Sequence, residues 1–283
     1  MSTPRSLTHE AGVTIATFHT SRGPRAGLVA SAIGPSKGTV LLVPGFTGSK
    51  EDFLALLAVL ARAGWDSATY DQLGQYESPH THDETDYALP LLAADLLDVA
   101  ASLAGPVHVV GHSFGGLVVA TAVGQRPEVF GSVVILACGL GPLSEPLASS
   151  LAPFLLIPDG TPSRDVWEIR IAAQGPLDPD LSPEIAAFVQ EKFIASPLAA
   201  MKAKLRILLS GADLTADLAA AGLPVFVATG ALDDYWALER QHAVAAQLGT
   251  SLHLLAGCGH SPNVDDPEQL ARELGRFWTS SQT

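Results

Sequence analysis

The sequence predicts an α/β fold: a mostly parallel central sheet flanked by helices, with a helical cap inserted after the sixth strand. Two observations carry that prediction. Short apolar runs alternate with amphipathic helical stretches along most of the chain, which is the rhythm of successive βαβ units. That rhythm stops between Gly139 and Gly222. There, Pro-rich turns and helical runs replace strands, and Ser182-Pro183 and Ser196-Pro197 each supply an N-cap followed by a first-turn proline.

Taken in order, Val13 to Phe18 and Leu28 to Ile33 alternate apolar with polar residues and read as half-buried antiparallel strands joined by a turn around Gly23-Pro24. Thr39 to Val43 is continuously apolar, as a strand buried on both faces must be, and Pro44-Gly45 ends it. Phe53 to Ala63 reads as a helix stopped by Gly64, Ser67 to Tyr70 as a short strand, and Tyr87 to Leu103 as an amphipathic helix. Val107 to Val110 is a second buried strand between Gly105-Pro106 and Gly111, followed by a helix over Ser113 to Gln125 and a strand over Val133 to Leu136. After the insertion the rhythm resumes with strand Val225 to Thr229, helix Trp236 to Leu248, strand Leu252 to Leu255 and helix Pro267 to Trp278. The expected core is therefore 1–139 with 222–283. The expected cap is 140–221, whose short helices need the main sheet for burial.

Composition bounds the function. Hydrophobic residues make up 47% of the 283 and charged residues only 16%, which is not the make-up of a disordered chain. A net charge of −13 argues against a broad basic surface, so neither nucleic acid nor an anionic membrane is an expected partner and a small-molecule substrate is. Met1 to Gly12 lacks the apolar core of a secretion signal, and no run of ~18 apolar residues offers a membrane span. A cytoplasmic location follows as the expectation. Two cysteines, Cys138 and Cys258, are too few for a disulfide framework and lack the paired spacing of a zinc site, and no metal or other cofactor is expected.

The chemistry is concentrated in Val107-His108-Val109-Val110-Gly111-His112-Ser113-Phe114-Gly115-Gly116. It sets a serine between a buried strand and a helix in the pattern G-x-S-x-G. A turn that sharp leaves no room for side chains two residues either side of the serine, hence Gly111 and Gly115. It lifts the hydroxyl clear of the sheet while the following helix aims its N-terminal dipole and the Phe114 N–H at the same spot.

In this motif and its setting the chain resembles the α/β-hydrolase superfamily, whose nucleophile elbow is G-x-S-x-G, and the resemblance runs from Val13 to Trp278. It implies an α/β-hydrolase fold and a Ser-His-acid triad. His260, in Gly257-Cys258-Gly259-His260-Ser261-Pro262 after the last strand, is the base that resemblance implies. Asp233, in the loop after the penultimate strand where the family most often carries its acid, is the preferred third member, with Asp234 as its rival. The order Ser113, Asp233, His260 matches the family's. The resemblance also places the second oxyanion donor at the backbone N–H of Phe46, in Val43-Pro44-Gly45-Phe46-Thr47-Gly48, although Pro44-Gly45 stands where many relatives carry His-Gly.

Other candidates have plainer readings. His112 is expected to pack beside the sheet, His108 to be a hydrogen-bonded core residue, and His80 with His82 and Asp83 to form a solvated loop. Asp71-Gln72-Leu73-Gly74-Gln75-Tyr76-Glu77-Ser78 resembles the family's D-x-R-G-x-G-x-S loop, but Leu73 replaces the arginine and the second glycine is missing, so it receives no catalytic role. In the family's strand order another strand separates Cys138 from Cys258, a gap too wide for a disulfide.

The expected function is cofactor-free serine hydrolysis of a carboxylic ester of small or medium, largely apolar substrate, through an acyl-enzyme. The same triad serves carbon–carbon bond hydrolases, lactonases, cofactor-free haloperoxidases and aminopeptidases, and the fold also serves ligand-binding proteins with slow hydrolysis. Phe154, Trp167 and Phe188, the main aromatic supply of the cap, are the expected pocket walls.

Overall fold

The computed structural model describes residues 3–10 and 12–281. Among these residues, eight strands form one sheet: β1 (Val13–Thr20), β2 (Gly23–Ala30), β3 (Thr39–Val43), β4 (Asp66–Tyr70), β5 (Val107–His112), β6 (Phe130–Leu136), β7 (Val225–Gly230) and β8 (Leu252–Leu255). They lie in the order β1-β2-β4-β3-β5-β6-β7-β8. β2 pairs antiparallel with both β1 and β4, and every other pairing is parallel. Strand order therefore reverses direction beside β3, and a crevice opens at the carboxyl ends of β3 and β5, where open α/β sheets place their ligands.

Helices α1 (Leu54–Arg62), α2 (Leu89–Ala101) and α3 (Phe114–Gln125) precede the insertion. The insertion holds α4 (Leu147–Leu151), α5 (Ser163–Gln174), α6 (Pro183–Ala195), α7 (Leu198–Ser210) and α8 (Thr215–Ala220). α9 (Leu238–Gln247), the short α10 (Pro262–Asp265) and α11 (Pro267–Ser281) complete the chain. None of the helices is long and apolar enough to cross a membrane, among the described residues.

The two-residue period of β3 divides the core. Leu41 and Val43 pack with α2 and α3 on one face of the sheet, while Val40 and Leu42 pack with α1 and α11 on the other. A continuously apolar strand is what burial on both faces requires. His108 sits within this core between the rings of Trp65 and Trp278, its Nδ1 2.8 Å from the Ser132 hydroxyl.

The first hairpin differs from the sequence expectation. β2 begins at Gly23, and Ser21-Arg22 form the turn, with Thr20 opposite Gly23. Pro24 is tolerated inside the strand because β4 pairs only with Gly27–Ala30, so at residue 24 β2 is still an edge strand on that side and its missing N–H costs no ladder bond.

The insertion has its own small apolar cluster, built on Val166, Trp167, Phe188, Val189 and Phe193. It is tied to the sheet by an ion pair between Lys192 of α6 and Asp52 of the turn before α1, 3.0 Å apart and shielded from water on both sides. α8 behaves differently. It packs against α3 and α9, with Leu218 in the cluster under the sheet, so residues 215–220 extend the layer of helices that flanks the strands.

Candidate active site

β5 runs into α3 through one residue. Ser113 has φ 54° and ψ −123°, a backbone conformation L-residues rarely adopt and which costs on the order of 1–3 kcal/mol. The surroundings impose it. A methyl at Gly111 would lie 2.6 Å from the Gly115 carbonyl oxygen, and one at Gly115 would strike the Val43 carbonyl. Gly116 is the third residue pinned this way, 2.9 Å from the Cys138 sulfur if it carried a methyl, a constraint the five-residue motif does not announce.

Two further loops at the carboxyl edge deliver the partners. Gly230 ends β7 so close to the Cys258 and Gly259 carbonyls that any side chain there would collide with them, and this contact brings the acid-bearing and histidine-bearing loops together. The His260 ring then spans the gap, its Nε2 3.0 Å from the Ser113 hydroxyl and its Nδ1 3.0 Å from an Asp233 carboxylate oxygen. Asp233 is buried, whereas Asp234 is exposed to solvent. Both Asp233 oxygens are occupied: Oδ1 also accepts the Tyr235 N–H at 3.0 Å, and Oδ2 accepts the Thr229 hydroxyl at 2.6 Å. Burial alone would push this carboxyl up. The bonds from His260, Thr229 and Tyr235 outweigh it and hold the group below the usual carboxylate range.

The histidine is gripped from two sides. Tyr235 stacks on the imidazole with 3.6 Å between ring centroids and 5° between planes. His112 reaches the His260 carbonyl at 2.7 Å through Nε2, so this nitrogen carries the proton and donates. Burial, followed by the proximity of His260, pushes the His112 ring down to about 4, so His112 is a neutral anchor at ordinary pH. The sequence expectation of simple packing beside the sheet undersold this residue, since adjacency to Ser113 in the chain says nothing about the loop it meets in space.

On the other flank, Gly45, Phe46 and Thr47 line the same cavity as Ser113. Phe114 buries its ring completely, and as the first residue of α3 its N–H has no acceptor within the helix. The Pro44 to Phe46 loop is braced from below. Gln72 Nε2 donates to the Pro44 carbonyl at 2.7 Å and Gln75 Nε2 to the Gly45 carbonyl at 2.6 Å, while the Gln75 side-chain oxygen accepts the Gln72 N–H. With its carbonyls tied down on that side, the loop is fixed. Gln75 thus has a structural task, while Tyr76, with a positive φ of 33°, stands where the resembled loop has its second glycine.

The cavity above Ser113 holds about 300 Å³ and is walled by Phe46, Leu147, Leu151, Phe154, Phe193, Met201 and Leu205, with Arg170 and Gln174 from α5. Phe154 is the only one of the three expected aromatic walls that reaches it. Trp167 turns inward against Phe193, and Phe188 packs edge-on against Tyr76, so both are packing residues of the insertion. A helix's aromatic content does not reveal which of its faces meets the cavity.

The two cysteines are free and buried, Cys138 beneath the elbow and Cys258 in the histidine loop. Burial pushes their thiols up, to about 12 and about 11 respectively, leaving little thiolate. His80 and His82 are exposed. Among the described residues no three His, Cys, Asp or Glu side chains are grouped to hold a metal ion.

Strand order, elbow and loop positions together match a known pattern: the model of the alpha/beta hydrolase family fits residues 40–273. The chain belongs to the alpha/beta hydrolase family. This hydrolase is 30% identical over 255 residues, 86% of its own chain and 93% of the other, to the protein named "Putative carbamate hydrolase RutD" of Variovorax paradoxus (strain S110). Its fold is shared with the crystal structure of a membrane phospholipase A, a bacterial virulence factor, at a TM-score of 0.76 and 19% identity, covering 96% of this hydrolase and 88% of that chain. Bromoperoxidase from Bacillus anthracis aligns at a TM-score of 0.75 and 16% identity, covering 94% of this hydrolase and 100% of that chain. Names that differ this much on one fold leave the substrate to the side chains of the site.

Proposed function

We propose that this protein is a serine hydrolase that cleaves carboxylic esters of small to medium, largely apolar substrates through an acyl-enzyme. The observation that carries the proposal is the unbroken chain of contacts from Ser113 Oγ through His260 to Asp233 at the foot of an apolar cavity. Ser113 Oγ attacks the ester carbonyl as His260 Nε2 takes the hydroxyl proton, and Asp233 stabilises the imidazolium. The N–H groups of Phe46 and Phe114 receive the oxyanion. His260 then gives its proton to the departing alkoxide. Water enters, loses a proton to Nε2 and attacks the acyl carbonyl, and the acid leaves as Ser113 recovers its proton.

A second reading comes from the relative named for carbamate hydrolysis. A carbamate carbonyl would meet the same nucleophile and donors. A cavity of about 300 Å³ walled mainly by Leu, Phe and Met is far larger than a minimal carbamate requires, and it favours a longer apolar acyl or alkyl group.

A panel of p-nitrophenyl esters of increasing chain length, with lactones and an aryl carbamate alongside, tests the assignment. The expected profile rises from acetate to a medium chain and then falls as the cavity fills. Turnover confined to the carbamate would transfer the assignment to that class, and no turnover of any member would contradict hydrolysis.

A further inference from the structure

The cavity wall contains one feature that ester cleavage does not use. Arg170 and Gln174, four residues apart on α5 and hence on one face of it, are its polar contribution from that helix. Arg170 is held in place without being neutralised. Its guanidinium lies 5.3 Å from the Trp167 ring centre, and Nη1 donates to the Gly175 carbonyl at 3.2 Å. Among the described residues it forms no ion pair, and no Asp or Glu lines the cavity. Its Nε is shut off from water and has no acceptor. A buried donor without an acceptor is unfavourable, so the enclosed Nε of this half-buried guanidinium, which has no counter-ion, favours an anionic ligand beside it. Burial is accordingly the main influence on this group, and it acts against the charged form.

We propose that Arg170 is a carboxylate-binding residue and that the preferred substrates are esters that also carry a free carboxylate. The proposal rests on the hydrolase reading above and narrows its substrate class. Scissile ester and carboxylate would occupy one cavity, which Ser113, His260 and Arg170 all line, with Phe154, Phe193 and Met201 among its apolar walls. A guanidinium edge offers two parallel N–H donors to a carboxylate, and Gln174 adds an amide N–H one turn away. The match in charge is one to one. The cavity has no second Lys or Arg, so a dianionic phosphate would be undercompensated. The protein's net charge of −13 makes a lone cation in the pocket a selective feature and not part of a general attraction for anions.

Binding and turnover are measured separately. Calorimetry compares monomethyl adipate with dimethyl adipate on Ser113→Ala protein and on the Ser113→Ala/Arg170→Met double variant. In parallel, kcat/KM is measured for mono-p-nitrophenyl adipate and its methyl ester on wild type and Arg170→Met, with thermal unfolding of each variant to confirm folding. The expected result is tighter binding of the monoester than of the diester by about 10- to 100-fold, the range of a charge-assisted bond, with the ratio falling towards one in the Arg170→Met background. The kcat/KM ratio should fall in the same way. Equal affinities for the two adipates on folded Ser113→Ala protein, or a preference that persists in the double variant, would overturn the subsite. If the carboxylate preference appears in binding while wild type turns over neither nitrophenyl ester, the subsite stands and the ester-hydrolase reading falls.

Discussion

The ring of Tyr235 lies face to face with the imidazole of His260, 3.6 Å between centroids and only 5° from parallel. The backbone N–H of the same tyrosine donates to Asp233, so one residue orients both His260 and Asp233, the proposed base and its proposed acid partner. The stack has an energetic consequence as well. An aromatic face stabilises an adjacent cation by roughly 0.5–2 kcal/mol, and in the proposed mechanism the imidazole becomes cationic when it takes the serine proton.

Tyr235→Ala should therefore lower kcat by about 2- to 30-fold, the rate equivalent of that range, while Tyr235→Phe keeps the ring and stays close to wild type. Steady-state kinetics on a p-nitrophenyl ester decides it. Equal losses in both variants would assign the effect to the hydroxyl and not to the stack.

The acid assignment separates two neighbours. Asp233→Asn removes the charge that holds the imidazolium and should cost on the order of 10⁴ in kcat, whereas the exposed Asp234→Asn should stay within about twofold. Loss in the second variant alone would reverse the assignment.

Gln75 offers a test of the loop opposite the elbow. Replacing it by leucine removes the donor to the Gly45 carbonyl and the acceptor for the Gln72 N–H, freeing the segment that carries the Phe46 N–H. A drop in kcat of about 10- to 100-fold is expected, short of the ~10²–10³ seen when an oxyanion donor is removed outright, with KM changing far less. If KM rose and kcat held, the loop would be binding substrate and not developing charge.

How much of this was legible in the sequence depends on how local each signal is. The elbow is written in ten consecutive residues, because Gly111, Ser113 and Gly115 satisfy a steric requirement within one turn. His260 stands out for a similar reason, since a Gly-rich loop after the last strand has few folds to belong to. Choosing between Asp233 and Asp234 takes the loop's geometry, which turns one carboxylate inward and the other to solvent. Gln72 and Gln75 gave no signal within their own loop because their partners are the carbonyls of Pro44 and Gly45, some thirty residues earlier. Trp167 and Phe188 were misplaced because helical spacing shows that a face is apolar without showing what it faces. The hairpin shifted because a Gly-Pro pair reads as a turn unless the short reach of β4 is known.

Lys204 predicts a pH dependence of stability. It is fully enclosed, with the Leu73 carbonyl as an acceptor at 3.1 Å, and burial pushes its ammonium down to about 7. In the unfolded chain the group titrates near 10.4. Between about pH 7 and 10 the unfolded state thus binds a proton that the folded state releases, and stability rises with pH across that window. Below pH 7 both states are protonated and the cost of enclosing the charge is at its maximum. Lys204→Met should raise stability at pH 7 by about 1–3 kcal/mol and abolish the rise, as followed by thermal unfolding from pH 6 to 10. An unchanged slope in the variant would place its origin elsewhere.

The central claim is that Ser113 is the nucleophile of an acyl-enzyme, and intact-mass spectrometry after brief treatment with a fluorophosphonate tests it most directly. The account predicts one adduct per chain, located on the peptide containing Ser113, absent in Ser113→Ala, and accompanied by complete loss of esterase activity. Labelling at another residue, or esterase activity surviving in folded Ser113→Ala protein at more than about a tenth of wild type, would contradict it.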